Sequence, residues 1–240
     1  MASADLKTTL KARGVQGFLD KSDGRDKLLA AVQYAAMFAS AGQPGDIKRI
    51  QVSVATARKV FRILKPLESL NPIVQNPHLN PNKPVVLELL NKARALADER
   101  LKSVLMAIYF GGDNIVWASQ AGILQNKVLT QRAQKASLYG WFGGSACTII
   151  NELYELNAMT ERRAGESDDQ YRERMAKTQA ELNRHLLVFI HAVTQALLAM
   201  GLLELRPWKP RTVGLFGIVA SVLNCYMLFP ALPKPVAKTA

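Results

Sequence analysis

Two long stretches without a charged residue lie close together in the last quarter of the chain, and they limit the folds open to it. Residues 185–203 and residues 212–233 are 19 and 22 residues long, and a helix of about 20 residues crosses the roughly 30 Å hydrocarbon layer of a membrane. Between them, residues 206–211 hold two prolines, three basic side chains and Trp208, a composition typical of a turn at a membrane interface. We therefore predict a transmembrane helical hairpin over residues 185–233. Two buried helices of a soluble bundle are the alternative.

Shorter uncharged segments precede this hairpin, at residues 103–112 and 136–151. We predict interfacial or spanning helices over residues 85–151 on this basis. Small residues spaced four apart allow helix backbones to approach closely in a membrane. Two such pairs occur in the uncharged segments, and we predict helix packing at their four residues: Gly140, Gly144, Gly217 and Ser221.

The charge of the chain favours an anionic partner. Lys and Arg number 31 against 19 Asp and Glu, which gives a net charge of +12, and such an excess suits an anionic membrane surface or nucleic acid. The hydrophobic fraction of 49% is ordinary for a folded protein and excludes a disordered chain. Residues 1–70 hold 12 basic and 6 acidic residues, so half of the net charge lies in this segment.

Much of that charge lies on one predicted amphipathic helix, over residues 46–65. Apolar residues recur at helical spacing, and we predict that this stripe inserts into a membrane: Ile50, Val54, Ala57, Phe61 and Leu64. Basic residues flank the stripe, and we predict that they contact anionic lipid headgroups: Lys48, Arg58, Lys59, Arg62 and Lys65. An ordinary surface helix packed on a core is an equal alternative. Aromatic residues are not interleaved with the basic ones, so we expect no nucleic-acid partner.

The remaining segments complete an all-α chain. Residues 1–70 form an N-terminal amphipathic helical region, and residues 71–84, rich in Pro and Asn, form a linker. Residues 152–184 carry eight acidic and six basic residues and are predicted to be a solvated helical segment. Residues 234–240 are a short tail. The predicted fold class is an all-α integral membrane protein with N-terminal amphipathic helices and a C-terminal transmembrane helical hairpin.

The sequence offers no pattern typical of an enzyme. It has no phosphate-binding, dinucleotide-binding or zinc-protease motif, and its three histidines lack the spacing of metal ligands. We therefore expect no catalytic residue, no metal and no cofactor. Asp113 is a candidate for function because it lies within an apolar stretch, where an ionised side chain at membrane depth would be costly.

Four groups of residues, in one order along most of the chain, resemble motifs of the peroxin-11 family of peroxisomal membrane proteins, especially the plant and algal members. The first group is Asp23, Gly24, Arg25, Asp26 and Lys27, followed by Gln33 and Tyr34. The second covers residues 57–62. The third is Tyr109, Asp113, Asn114, Trp117 and Gly122. The fourth is Gly214, Gly217, Ser221, Tyr226 and Pro230.

The resemblance implies a multi-pass peroxisomal membrane protein that elongates and proliferates the organelle. It also implies that the amphipathic helix inserts into the cytosolic leaflet and promotes curvature, that copies self-associate, and that both termini face the cytosol. Independently, six basic residues lie near the hairpin on the side of the termini and residues 152–184, against three in its short turn, which favours a cytosolic position for residues 152–184 as well. The implied partners are a fission adaptor and a dynamin-related GTPase. A peroxisomal channel for small metabolites, with Asp113, Gln195 and Asn224 along its path, and a soluble helical scaffold are the alternatives.

Overall fold

The computed structural model describes residues 14–75 and 99–230, and every regular element within them is a helix. A short helical stretch over residues 14–19 comes first. Seven helices follow: α1 (Ser22–Ser40), α2 (Asp46–Val60), α3 (Lys65–Gln75), α4 (Glu99–Gln120), α5 (Lys127–Thr160), α6 (Asp168–Leu202) and α7 (Pro210–Leu228). The predicted all-α class is confirmed.

The predicted C-terminal hairpin corresponds to the second half of α6, a turn, and α7. Both helices are long and apolar enough to cross a membrane, yet only 28% of the apolar window of each is buried inside the protein. Large apolar side chains therefore lie on the outer surface of both helices: Leu186, Ile190, Leu215, Val219 and Val222. Monomeric proteins in water rarely expose apolar surface so continuously. The two helices are therefore candidate membrane spans.

Helix α1 lies antiparallel along the whole length of α7. At one end of the pair, Phe18 stacks on Phe229 with ring centroids 5.9 Å apart, and at the other end Gly42 lies against Pro210. A Cβ atom added at Gly217 would lie 2.1 Å from Cγ of Tyr34. The two backbones can approach this closely only because α7 presents no side chain at that point.

Helices α4 and α5 pack in the same way. A Cβ atom at Gly140 would lie 2.5 Å from the carbonyl oxygen of Leu105, and one at Gly144 would lie 2.9 Å from the sulfur of Met106. The Ser137 hydroxyl donates to the carbonyl oxygen of Tyr109 at 2.8 Å. These contacts fix the position of α4 beside α5.

Helices α5 and α6 form a hairpin of 34 and 35 residues whose distal part contains the charged residues 152–184. A capping box of Ser167 and Gln170 starts α6. In the turn, Arg174 donates to both carboxylate oxygens of Glu166, at 2.7 and 3.0 Å. Arg174 also donates to the carbonyl oxygen of Met159 at 2.7 Å, so one side chain ties the end of α5 to the start of α6.

The predicted helix over residues 46–65 is interrupted. Helix α2 ends at Val60, a turn covers residues 61–64, and α3 begins at Lys65. Pro66 explains the break, because it has no N–H to donate to the carbonyl of Arg62 but is tolerated in the first turn of a new helix. Helix α3 includes residues 71–75 of the predicted linker. Residues 76–84 of that linker, residues 1–13, residues 85–98 and the tail at 234–240 lie outside the described residues.

Candidate functional site: a buried ionic cluster

Five polar side chains from α1, α2, α4 and the turn after α2 meet in the interior. We call them the ionic cluster, and each is at most 9% exposed: Asp26, Arg58, Arg62, Tyr109 and Asp113. Buried charges are tolerated only when they are paired and hydrogen-bonded. The cluster meets this condition because its two acidic and two basic side chains face one another.

Arg62 is the centre of the cluster. Its Nη2 atom donates to Oδ1 and Oδ2 of Asp26 at 2.9 and 3.1 Å, and its Nε atom to Oδ1 at 3.2 Å. Its Nη1 atom donates to the Tyr109 hydroxyl at 2.6 Å and to Oδ2 of Asp113 at 3.0 Å. The guanidinium of Arg62 therefore links α1 to α4, although Arg62 itself lies in the turn after α2. The planar, five-donor shape of arginine is required for this arrangement.

Arg58 supports the same carboxylate from α2. Its Nε atom donates to Oδ1 of Asp26 at 3.0 Å and its Nη1 atom to Oε1 of Gln33 at 2.6 Å. The guanidinium carbon lies 5.9 Å from the ring centroid of Tyr34, within the range of a cation–π contact. Three residues of α1 thus contact the Arg58 side chain and fix its position.

Three lysines surround the cluster. Lys27 lies 3.2 Å from Oδ2 of Asp26, and Lys59 lies 3.4 Å from Oδ1 of Asp113. Lys65, at the start of α3, pairs with Asp23 at 2.8 Å. The Lys65–Asp23 pair joins α3 to α1 and the Lys59–Asp113 pair joins α2 to α4, whereas Lys27 and Asp26 both belong to α1.

The charges of the cluster set one another's protonation states. Burial alone would raise the pKa of Asp26, but Arg62 and Arg58 outweigh it and hold the pKa well below its usual range. Burial would lower the pKa of Arg62, but Tyr109, Asp26 and Asp113 keep it above the ordinary arginine value. Burial raises the pKa of Tyr109, so its hydroxyl stays neutral. Asp26 and Arg62 are therefore both charged across the physiological pH range.

The predicted lipid-contact residues all have partners inside the chain. Arg58 and Arg62 are each 7% exposed within the cluster, and Lys59 and Lys65 form the ion pairs given above. Lys48 donates to Oε1 of Gln51 on the same helix at 3.0 Å. In this conformation neither guanidinium faces outward, because Asp26 and Asp113 are on the inner side of α2. Contact of these five residues with lipid stays a prediction.

The predicted apolar stripe faces the other way. Ile50 is 51% and Leu64 67% exposed, Ala57 is exposed, and Val54 and Phe61 are half-buried. The exposed apolar surface continues into α3, where Leu67 is 67% exposed. Helix α2 is therefore oriented with its charged side toward the protein and much of its apolar side outward, the reverse of an ordinary surface helix.

The structure unites three of the motifs that carry the family resemblance. Asp26, Gln33 and Tyr34 come from the first motif, Arg58 and Arg62 from the second, and Tyr109 and Asp113 from the third. Asn114 joins them, since its Nδ2 atom donates to the carbonyl oxygen of Ile63 at 2.8 Å. The other motif residues lie around this site. Gly24 is buried against the carbonyl of Phe18, Arg25 is exposed and Trp117 is half-buried on α4.

Sequence reasoning did not predict that the two acids neutralise the two arginines. A signal was present: Arg58 and Arg62 are four residues apart and so share a helix face, while Asp26 and Asp113 each lie at or within an apolar segment. The predicted packing residues Gly140 and Gly144 face α4, and Gly217 faces α1, within a single chain. Ser221 is buried, and its hydroxyl donates to the carbonyl oxygen of Gly217.

These observations define an all-helical membrane protein whose N-terminal helices are fixed to the bundle by a buried ionic cluster and whose last two helices are candidate spans. The chain belongs to the family of peroxisomal biogenesis factor 11 (PEX11), whose family model matches residues 13–229. It is thus a peroxisomal membrane protein of a family involved in peroxisome biogenesis.

Three plant relatives illustrate the similarity. Peroxisomal membrane protein 11D of Arabidopsis thaliana is 33% identical over 229 residues, which cover 90% of this chain and 91% of the relative. Peroxisomal membrane protein 11C of the same plant is 34% identical over 242 residues, covering 95% and 97%. Peroxisomal membrane protein 11-1 of Oryza sativa subsp. japonica is 34% identical over 226 residues, covering 89% and 90%. No solved structure matches the chain.

Proposed function

We propose that this chain shapes the peroxisomal membrane by inserting the outward apolar face of α2 and α3 into one leaflet. The observation that carries the proposal is the orientation of α2. Arg58 of α2 and Arg62 in the turn that follows are buried in the ionic cluster, while Ile50 and Leu64 are 51% and 67% exposed. An apolar face that the protein itself does not cover is suited to a membrane interface.

The physical basis of the proposal is the transfer of these side chains from water to lipid. Full burial of a large apolar side chain contributes about 1.5–3 kcal/mol, and Ile50, Leu64 and Leu67 each have between half and two thirds of their surface still to bury. Insertion on one side expands that leaflet relative to the other and favours curvature. Because the ionic cluster fixes α2 to α1 and α4, the inserted face is held in place by the rest of the bundle.

The family resemblance extends the proposal to cellular context. We place the inserted face in the cytosolic leaflet, with several membrane passes and both termini in the cytosol. Anionic phospholipid is the proposed surface partner, and Arg49, 84% exposed at its side chain, is available to contact it. The other proposed partners are further copies of the same chain, a fission adaptor and a dynamin-related GTPase. The proposed role is to elongate, proliferate and divide peroxisomes without catalysis.

The experiment is to reconstitute the full-length protein into anionic liposomes and to count tubules by electron microscopy. The double variant Ile50→Glu/Leu64→Glu places two carboxylates on the inserted face, and we expect it to abolish tubulation. The matched control, Gln43→Glu/Gln120→Glu, adds the same two charges at exposed polar positions and should tubulate like the wild type. Equal tubulation by both double variants would refute insertion of this face.

A second candidate function is a channel for small metabolites. The observation that favours it is a cavity between the helices whose wall includes the polar side chains of Gln195 and Asn224. Asp113, the third residue predicted along the path, lies instead in the ionic cluster against Arg62 and Lys59. Planar-bilayer conductance that falls in Asn224→Leu would support the channel, and bilayers that stay silent with the wild type would count against it.

A further inference from the structure

A cavity of about 320 Å³ lies in the helix bundle, next to the ionic cluster. Four basic side chains line it: Lys27, Arg58, Arg62 and Lys102. Its volume is at the lower end of the roughly 300–1,000 Å³ typical of ligand pockets. The remaining wall is partly polar, at Asn224 and Gln195, and partly apolar, at Trp141 and Met106.

The charges around this cavity are not balanced by the described part of the chain. Lys27, Arg58, Lys59 and Arg62 share only two carboxylates, those of Asp26 and Asp113. Lys102 adds a fifth cation, and it forms no ion pair with a carboxylate within residues 14–75 and 100–230. Lys59 is not part of the cavity wall, and the two carboxylates neutralise the two arginines, so Lys27 and Lys102 leave an excess of two positive charges in that wall. Such an excess in a partly desolvated site is costly unless an anion neutralises it.

A second observation points to a polar ligand in the same cavity. The Oε1 atom of Gln195 is buried and accepts no hydrogen bond from the described residues, although Nε2 of the same amide lies 2.9 Å from Nε2 of His191. A buried polar atom without a partner costs about 1–3 kcal/mol. A ligand that carries both hydroxyl groups and negative charge would satisfy Gln195 and the lysines together.

We propose that this cavity binds the phosphate group of a phosphate monoester, with Lys27 and Lys102 as its cationic contacts. A phosphate monoester carries about 1.5 to 2 negative charges near neutral pH, which matches the excess of positive charge better than a single carboxylate does. Lysine is a common phosphate ligand that acts as a point charge. Arg58 and Arg62 contribute to the positive potential while they stay bonded to Asp26. The apolar wall at Trp141 and Met106 accommodates the carbon part of the ester.

A phosphate monoester can come from two sources. One is a phospholipid with a terminal phosphate, such as phosphatidic acid, whose headgroup enters between the helices, and the other is a soluble metabolite. The test uses the full-length protein in nanodiscs. In one arm the discs contain only phosphatidylcholine and glycerol 3-phosphate is titrated, with potassium chloride at equal ionic strength as the reference. In the other arm, phosphatidic acid replaces part of the phosphatidylcholine. The unfolding temperature is measured in both arms, because a ligand that binds only the folded state raises it.

We expect a saturable rise in the unfolding temperature in at least one arm. Lys102→Gln should weaken binding at least about tenfold, since it removes one of the two cationic contacts and breaks no ion pair among the described residues. Lys135→Gln is the matched control, because Lys135 is exposed on α5 and lies outside the cavity. It should bind within about twofold of the wild type.

A rise only with glycerol 3-phosphate identifies a soluble ligand, and a rise only with phosphatidic acid identifies a lipid headgroup. The proposal is overturned if neither probe exceeds the chloride reference, or if Lys102→Gln and Lys135→Gln bind equally, which would indicate a surface charge effect. Should Lys102→Gln fail to fold, Ser145→Met narrows the cavity without a change of charge, since Ser145 lies in its wall. Unaltered binding by this variant would also overturn the proposal.

Discussion

Replacing Arg62 by methionine tests whether the ionic cluster holds the N-terminal helices to the bundle. The substitution keeps an unbranched side chain but removes the bonds to Asp26, Tyr109 and Asp113. Loss of one partner from a buried ion pair costs about 3–5 kcal/mol. Asp26 retains Arg58 and Lys27, so we expect the lower end of that range, about 3 kcal/mol.

This free energy converts into a measurable change in unfolding temperature. A chain of this size loses about 2–4 °C per kcal/mol, so Arg62→Met should unfold roughly 6–12 °C below the wild type. The assay is thermal unfolding of the full chain in detergent, followed by circular dichroism. Arg62→Lys keeps the charge but loses the planar fork, and its unfolding temperature should lie between those of the other two proteins.

Arg49→Met is the matched control. Arg49 pairs with Asp46 at 3.2 Å, the same kind of ion pair, but the two side chains are 84% and 90% exposed. An exposed pair contributes about 0–1 kcal/mol, which corresponds to a shift of at most roughly 4 °C. The reasoning is refuted if Arg62→Met unfolds within 2 °C of Arg49→Met, because burial would then add nothing to the arginine's contribution.

Three further predictions concern the rest of the bundle. Gly217→Ala should destabilise the protein by about 1–3 kcal/mol, because the new Cβ would lie 2.1 Å from the ring of Tyr34. Gly111→Ala, with nothing within 4 Å, should stabilise α4 by about 0.5–1 kcal/mol; equal unfolding temperatures for the two variants would disprove the close approach. Hydrogen bonds from Arg174 lower the pKa of Glu166 to about 2, so its stabilising effect is complete above its ordinary value of 4.5 and disappears as the pH falls through about 2. The protection factor of amides in the α5–α6 turn, which is the intrinsic exchange rate at a given pH divided by the observed rate, should therefore fall below pH 4.5 in the wild type but not in a Glu166→Gln variant, and protection factors that stay constant with pH in both would exclude this linkage. Alkaline carbonate should leave the protein in the membrane pellet, and its release into the supernatant would contradict the spanning assignment of α6 and α7.

The orientation of α2 differs from that of an amphipathic helix that binds a membrane on its own. An amphipathic helix that binds a membrane by itself uses its basic residues as headgroup contacts. Here Arg58 and Arg62 hold the helix to the protein, and the apolar stripe is left outside. The face that we propose to insert is consequently part of a folded bundle. Variants of these two arginines would disturb folding before they reported on lipid binding.

The sequence alone was sufficient to predict the helical class, the C-terminal hairpin and the apolar stripe of α2. These features are local, because the length of an uncharged segment and a 3.6-residue periodicity are visible without knowledge of neighbouring helices. The helix break between α2 and α3, just before Lys65, was harder to predict. Pro66 is compatible with either a bend or a second helix, and the choice depends on what the flanking residues contact.

Only the tertiary structure decided the roles of the charged residues. Asp26 and Arg62 are 36 residues apart, and Arg62 and Asp113 are 51 apart. No local pattern says which charges meet across such separations, since that depends on how α1, α2 and α4 pack. Periodicity placed Arg58 beside the apolar stripe correctly but could not tell which side of the helix the protein would cover. The buried carboxylates of Asp26 and Asp113 determine that the arginine side of α2 faces the protein, because a buried arginine is tolerated only beside an opposite charge.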